Sequence, residues 1–512
     1  MAIFETVPST GPRRRLRVKS PVSFQPIGEF DVATREDARA AVNRARKAQV
    51  AWGALSPALR AQPMWRFLDR FIEGQNEIVD AVIAETGKAR SDAIAMEVFS
   101  VCDAVAYYAK NAQKILKARR ERIHGLLGFA KRLRIIYKPL GVVGLITPWN
   151  APVVLSVNPM VQALMAGNAV VHKPSEVTPL SALVVKRFFD EAGFEPDLYQ
   201  VLQGDGESGA GLVEAGVDKI AFTGSVATGR KVAAACGRAL IPCTLELGGK
   251  DAMLVCADAD LERAAQGAVL GSCMNTGHYC CGTERIYVVE AVYDAFLAKV
   301  VQKTEALRQS DHGEFDVGAV FWDKQMEIIE RHMEDARAKG AKVLVGGSRN
   351  PDLPGLFFQP TVVTEVNHAM DLMTQETFGP ILAIQQVKDE EEAIRLANDS
   401  EYGLNGNVWT TDTRKGIRIA ERIHTGAVCV NDMAMTYGVH EAPFGGRKSS
   451  GVGQVNGPKG LRGYCHEMPI LADRRGRGKI QGGYPYTRKA EEGMQKFITL
   501  LWKKTPIGRW LS

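Results

Sequence analysis

From residue 141 onward short apolar runs alternate with helical patterns, and this alternation limits the chain to very few folds. Residues 141–147, 169–172, 199–202, 219–222, 244–247 and 252–255 are rich in Val, Ile, Leu, Ala and Phe, and all but the last two are separated by stretches long enough for a helix. Short apolar runs with such crossovers predict parallel strands buried on both faces, the α/β class. A second alternation, including 285–288, 381–387 and 428–430, follows Cys280. Ahead of both, Thr34-Arg35-Glu36-Asp37 opens an alanine-rich helix to about Ala54 in the manner of a capping box, further helical patterns fill 60–117, and 133–137 reads as a strand. A chain of 512 residues exceeds one ordinary core, so two or more large domains are expected, without internal repeats.

Composition excludes several function classes. With 46% hydrophobic and 24% charged residues the chain is globular, and no run reaches the 18 or so apolar residues of a membrane span. Arg13-Arg14-Arg15 is not followed by an apolar segment, so no secretory signal is expected. Nine cysteines, an odd number without CxxC or CxxH spacing, argue against a disulfide framework or a zinc site and favour a reducing cytoplasm. The net charge of +6 is concentrated in the tail: residues 473–512 hold ten Lys or Arg against three Asp or Glu, leaving the body nearly neutral and without the basic, aromatic face of a nucleic-acid binder. The tail begins with Arg474-Arg475-Gly476-Arg477-Gly478-Lys479, expected to be mobile. Farther on, Met494, Phe497, Ile498 and Leu501 fall at helical spacing among Lys496, Trp502 and Lys503, a pattern suited either to lying on an anionic membrane or to packing on protein. Residues between the 443–446 turn and Gly460 are glycine-rich and predict little regular structure.

Two positions carry the chemistry. Glu246 lies between Leu245 and Leu247 before a Gly-Gly turn, where burial would raise its pKa, and Cys280 closes Asn275-Thr276-Gly277-His278-Tyr279-Cys280. A lone Cys is more often a small buried hydrophobe, but a thiol beside a buried carboxylate suits covalent attack followed by base-assisted hydrolysis. Gly224 and Ser225 end a strand just before a helix, a turn that offers backbone N–H groups to phosphate. Lys173-Pro174-Ser175-Glu176 follows another strand, where open parallel sheets bind nucleotides; Glu176 would repel a 2′-phosphate and favours NAD over NADP. Thr147-Pro148-Trp149-Asn150 closes a third strand, and the Asn150 amide is a candidate donor to an oxyanion.

Together the segments ITPWNAP (146–152), KPSE (173–176), FTGS (222–225), LELGGK (245–250), NTGHYC (275–280), ETFGP (376–380) and PFGGRKSSG (443–451) resemble the aldehyde dehydrogenase superfamily, in order and spacing, over about residues 25–472. The resemblance implies a Rossmann-type cofactor domain (1–120 and 140–248), an α/β catalytic domain (249–446), a small β oligomerisation flap (121–139 and 455–472) and a homodimer or homotetramer, with 473–512 as a basic tail. It implies that Cys280 attacks an aldehyde, that Asn150 and the Cys280 N–H hold the oxyanion, and that Glu246 activates the water releasing a free acid. Thr147, Trp149, Lys173, Ser175, Glu176, Gly224, Ser225, Glu376 and Phe378 would line the NAD site, with no metal required. His278 stands where the family usually has Gln, and Cys281 beside Cys280 leaves a second thiol that only the Asn-x-Gly-x-x-Cys register sets aside. The stretch from Ala151 to His172 carries no Lys or Arg, so an apolar aliphatic or aromatic aldehyde is the expected substrate. A semialdehyde dehydrogenase and a cofactor-independent thiol hydrolase are the alternatives, and contact with a membrane through the tail is a further expectation.

Overall fold

Two mainly parallel sheets form the body of the molecule in this computed structural model, which describes residues 2–7, 13–125, 127–474, 476 and 484–503. In the first sheet the parallel strands lie in the order Tyr199–Val201, Ala169–Lys173, Val142–Ile146, Lys219–Thr223, Cys243–Glu246. The chain starts at Val142–Ile146, adds strands to one side, then crosses to add Lys219–Thr223 on the other. Adjacent strands that send their connections in opposite directions leave a crevice at their C-terminal ends, where such sheets bind ligands. Both central strands, Val142–Ile146 and Ala169–Lys173, are buried along their whole length, which is why they read as unbroken apolar runs.

The second sheet runs in the order Lys342–Val345, Thr361–Thr364, Ile381–Val387, Thr283–Val289, Asp251–Val255, Gly406–Trp409, Cys429–Val430, parallel throughout except for its first pair. Three of these strands were not expected. Lys342–Val345, Thr361–Thr364 and Gly406–Trp409 are each only four residues long, and the last two include polar or glycine residues, so no sustained apolar run marks them and pairing with neighbours makes them strands.

The glycine-rich stretch before Gly460, expected to lack regular structure, is instead ordered. Gly451–Val452 pairs antiparallel with Leu245 and Glu246, and Gly457–Arg462 forms a helix against Val154–Ala166. A two-residue strand containing glycine has no side-chain alternation to read. An N-terminal antiparallel sheet, Phe4–Val7, Arg15–Lys19 and Pro26–Asp31, was also not foreseen; Ile3 beside it is buried in the core of the second sheet. Cys465–Asp473, Lys131–Pro139 and Arg119–Glu121 form a further antiparallel sheet that exposes Met468, Ile470 and Leu471.

Thr34 caps helix Arg35–Ala54 as its sequence predicts: its hydroxyl accepts from the Asp37 N–H while the Asp37 carboxylate accepts from the Thr34 N–H. All nine cysteines are free thiols. Among the described residues no helix is long and apolar enough to cross a membrane. The tail forms helix Arg488–Trp502, with Met494, Phe497 and Ile498 about half exposed and Leu501 buried. Most of the arginine-rich start of the tail, expected to be mobile, lies outside the described residues.

Candidate active site

Glu246 ends the edge strand of the parallel set in the first sheet, and Cys280 follows a turn after helix Leu261–Cys273. That turn takes three consecutive left-handed residues, Asn275 (φ 56°), Thr276 (φ 58°) and Gly277 (φ 75°). A β-branched residue in this conformation costs about 1 to 3 kcal/mol and persists only where the surroundings hold it. Here the Asn275 N–H donates to Asp92 (2.8 Å), and the Asn275 amide donates to the carbonyls of Asn150 (2.9 Å) and His278 (2.8 Å). A Cβ on Gly277 would lie 2.2 Å from the Gly379 backbone, so only glycine allows the turn to lean on that segment.

The turn and the strand end bring Glu246 and Cys280 to one pocket, whose other walls include Leu155, Pro159, Tyr437 and Phe444. Both Glu246 carboxyl oxygens are buried and have no hydrogen-bond partner. Burial, and secondarily the Cys280 thiol, holds this carboxyl well above the usual carboxylate range. The two neighbouring thiols differ in access. Cys280 is partly exposed, whereas Cys281, 3.6 Å away sulfur to sulfur, is fully buried in the second core.

Asn150 donates one amide N–H to the His278 carbonyl (3.1 Å), and since the amide carries two, one is left to aim elsewhere. Its own carbonyl accepts from Lys88 Nζ (3.0 Å) as well as from Asn275. Thr147 is oriented from behind: its hydroxyl meets His172 Nε2 at 2.8 Å, and His172 Nδ1 meets the Tyr199 hydroxyl at 2.9 Å. Burial pushes His172 down to about 3, so the ring is neutral and carries a single proton to share between these partners. Trp149 joins an aromatic cluster with ring centroids 5.0 Å from His278 and 5.6 Å from Phe378. His278 is buried with neither ring nitrogen bonded, and burial followed by Lys88 lowers it to about 3, which makes it an uncharged packing residue over the physiological range.

Three turns leave the same edge of the first sheet because their strands are neighbours: 147–150, 173–176 and 224–225. Lys173 Nζ bonds Glu176 (2.9 Å), and the buried Ser175 hydroxyl accepts from the Val177 N–H. Ser225 caps helix Val226–Ala239 by accepting from the Thr228 N–H, leaving earlier N–H groups of that turn to an incoming anion. A Cβ at Gly229 would lie 2.5 Å from Leu247, so glycine sets this helix start directly against the segment after Glu246. From the opposite side Glu376 accepts the Gly249 N–H (3.0 Å); burial, then the Glu284 carboxylate, pushes it up to about 8. Phe378, in a left-handed conformation (φ 52°), is fixed because Glu284 accepts the N–H groups of Thr377 and Phe378 (2.8 Å each) and pairs with Lys250 (2.5 Å). An anion site at a helix start, hydrogen-bonding groups two strands over and an aromatic wall against His278 of the Cys280 turn fit a dinucleotide laid across the crevice.

Lys88, Asp92, Glu97 and Glu284 hold these groups, and sequence reading did not single them out. Their signal is faint: a lysine just past the glycine that ends a helix, two acids in the helical stretch that follows, and a glutamate opening a strand.

The family model for the aldehyde dehydrogenase family matches residues 7–469. The chain is 37% identical over 484 residues (94% of it, 90% of the relative) to 4,4'-diapolycopene aldehyde oxidase of Methylomonas sp. It is 40% identical over 447 residues (86% of each) to a protein of Mycolicibacterium smegmatis provisionally named succinate-semialdehyde dehydrogenase (NADP+). Among solved structures, Mycobacterium tuberculosis aldehyde dehydrogenase complexed with NAD+ superposes with a TM-score of 0.86 at 34% identity, covering 91% of this chain and 96% of that one.

Proposed function

The chain belongs to the aldehyde dehydrogenase family, and from that premise we propose that it oxidises an apolar aldehyde to the carboxylic acid with Cys280 as nucleophile and Glu246 as base. The observation that carries this reading is a buried carboxylate without partners sharing a pocket with an accessible thiol. The Cys280 thiol loses its proton to solvent, its sulfur bonds to the carbonyl carbon, and the oxygen takes up the negative charge, received by the remaining Asn150 amide N–H and the Cys280 N–H. A nicotinamide cofactor held by the residues named below would supply the hydride acceptor for that carbon. Cys280 then carries a thioester. Glu246, ionised, takes a proton from a water molecule whose oxygen attacks the thioester; the carbon–sulfur bond breaks and the thiol is regenerated. Thr147, Trp149, Lys173, Ser175, Glu176, Gly224, Ser225, Glu376 and Phe378 would hold the cofactor, and the Glu176 charge favours NAD over NADP. On this reading residues 1–120 and 140–248 serve the cofactor and 249–446 the chemistry.

The pocket wall supports the apolar substrate class. Helix Val154–Ala166 is buried along its length, and no cation stands between Asn150 and Lys173 to receive a second carboxylate. The Methylomonas relative, named for a diapolycopene aldehyde, fits an apolar substrate; the mycobacterial relative, named for succinate semialdehyde, supports the second reading. A survey of kcat/KM over aliphatic aldehydes of increasing length, benzaldehyde and succinic semialdehyde separates them. The apolar series is expected to exceed the semialdehyde by about tenfold or more, and the reverse order would establish the second reading.

We further propose that Met468, Ile470 and Leu471 join copies into a homodimer or homotetramer, and that helix Arg488–Trp502 rests on an anionic bilayer with Met494, Phe497 and Ile498 inward. Truncation after Gly476 is expected to abolish sedimentation with phosphatidylserine vesicles while leaving aldehyde oxidation intact. Undiminished sedimentation would return the helix to a packing role.

A further inference from the structure

Lys88 and Glu97 form an ion pair with no exposed side-chain surface, Nζ to Oε1 at 2.8 Å. Burying two charges is unfavourable unless further hydrogen bonds satisfy them, so the identity of those further partners shows what the pair is for. All of them lie around Asn150. Lys88 Nζ donates to the Asn150 carbonyl (3.0 Å), and the second Glu97 oxygen accepts the N–H groups of Val153 (3.1 Å) and Val154 (2.9 Å). Helix Val154–Ala166 has no side-chain cap of its own, so a carboxylate from another helix terminates it, where the positive end of the helix dipole favours a negative charge. The ion pair therefore fixes the backbone just after Asn150 at two places.

The same segment holds the nucleophile turn. Glu97 lies in a π-helical stretch, Ala93–Phe99, and Asp92 immediately before it accepts the Asn275 N–H, while Asn275 in turn bonds the Asn150 carbonyl. π-Helical turns are rare and often mark functional positions. Here the turn belongs to the only described segment that grips both the Asn150 loop and the Cys280 turn through carboxylates.

We propose that Lys88 and Glu97 are positioning residues for the reaction: they aim the Asn150 amide at the carbonyl oxygen bound by Cys280, an inference that rests on the oxyanion role given to Asn150 above. Neither touches the reacting atoms. Displacement of a catalytic donor by a fraction of an ångström weakens it only in the transition state, so the effect should appear in the chemical step.

The test is a double-mutant cycle read by single-turnover NADH formation with enzyme in excess of aldehyde. Lys88→Met/Glu97→Gln removes both charges together and keeps an oxygen for Val153 and Val154. It is expected to slow the single turnover by about tenfold to a hundredfold, yet by less than about threefold when introduced into Asn150→Ala, because the group being aimed is then gone. Equal losses in both backgrounds, or no loss in the parent, would overturn the proposal alone and assign the pair to stability. An Asn150→Ala enzyme with the parent rate would overturn the oxyanion role and the proposal with it. Should the double variant fail to fold, Glu97→Gln alone is run through both backgrounds under the same criterion.

Discussion

Glu246 and Glu284 approach the same crevice, yet one has no hydrogen-bond partner and the other has three. Glu246 ends a strand amid Leu245, Leu247 and the apolar pocket wall, with both oxygens unbonded. Glu284 opens strand Thr283–Val289 and spends its oxygens on Lys250, Thr377 and Phe378. A buried carboxylate that is fully bonded holds its neighbours still; one left unbonded costs stability and persists where its reactivity is used. On the proposed reading, the contrast divides the crevice into a reactive side around the unbonded Glu246 and a scaffold side around the fully bonded Glu284.

The sharpest break of that comparison comes from the reactive side. Cys280→Ser is expected to lower aldehyde oxidation by about four orders of magnitude or more, because the alcohol is a far weaker nucleophile and no partnered base is in place to activate it. Retention of activity would move the nucleophile elsewhere, Cys281 being the first candidate to examine.

Glu246→Gln is expected to give one NADH per active site and then stall, with steady-state turnover down by about 10² to 10⁴. Since burial raises the Glu246 pKa, the ionised base is present above that raised value and is lost as pH falls through it. Thioester hydrolysis in the parent should therefore climb with pH above the usual carboxylate range and be flat in Glu246→Gln. A parent profile that is level above that range would remove Glu246 from the role.

The scaffold side should respond in the opposite way. Glu284→Gln leaves Lys250 buried without its counter-charge, a loss of about 3 to 5 kcal/mol in stability, read as a lower melting temperature. The affinity for NAD should weaken by about threefold to tenfold as the 376–378 segment loosens, with kcat changed by less than about threefold. A collapse of kcat at unchanged melting temperature would erase the distinction drawn between the two carboxylates.

The legible parts of the fold were those whose side chains announce their own environment. Strands such as Val142–Ile146 and Ala169–Lys173 are buried on both faces and therefore uninterrupted in the sequence; Thr34 and Asp37 form a cap from within four residues. Glu246 was conspicuous as a charge flanked by leucines. Gly451–Val452 and Gly406–Trp409 carried no such mark, because they become strands only when a neighbouring edge is there to pair with. The N-terminal sheet is hard to read for a related reason: residues 4–31 are mixed in polarity, and a small core of Leu16, Val18, Phe30 and Val32 joins its strands.

The alternation of strand and helix, the register of the motifs and the proposed thiol and carboxylate are all legible in the sequence, since each is written in consecutive residues or in local spacing. Which polar groups find partners is settled by the folded arrangement alone. Lys88 meets Glu97 and Asn150, Glu284 meets Lys250 and the Phe378 segment, and Glu246 meets no one. Whether a buried charge becomes a brace or a base depends on donors brought from distant parts of the chain, and short-range sequence patterns hold no record of those donors.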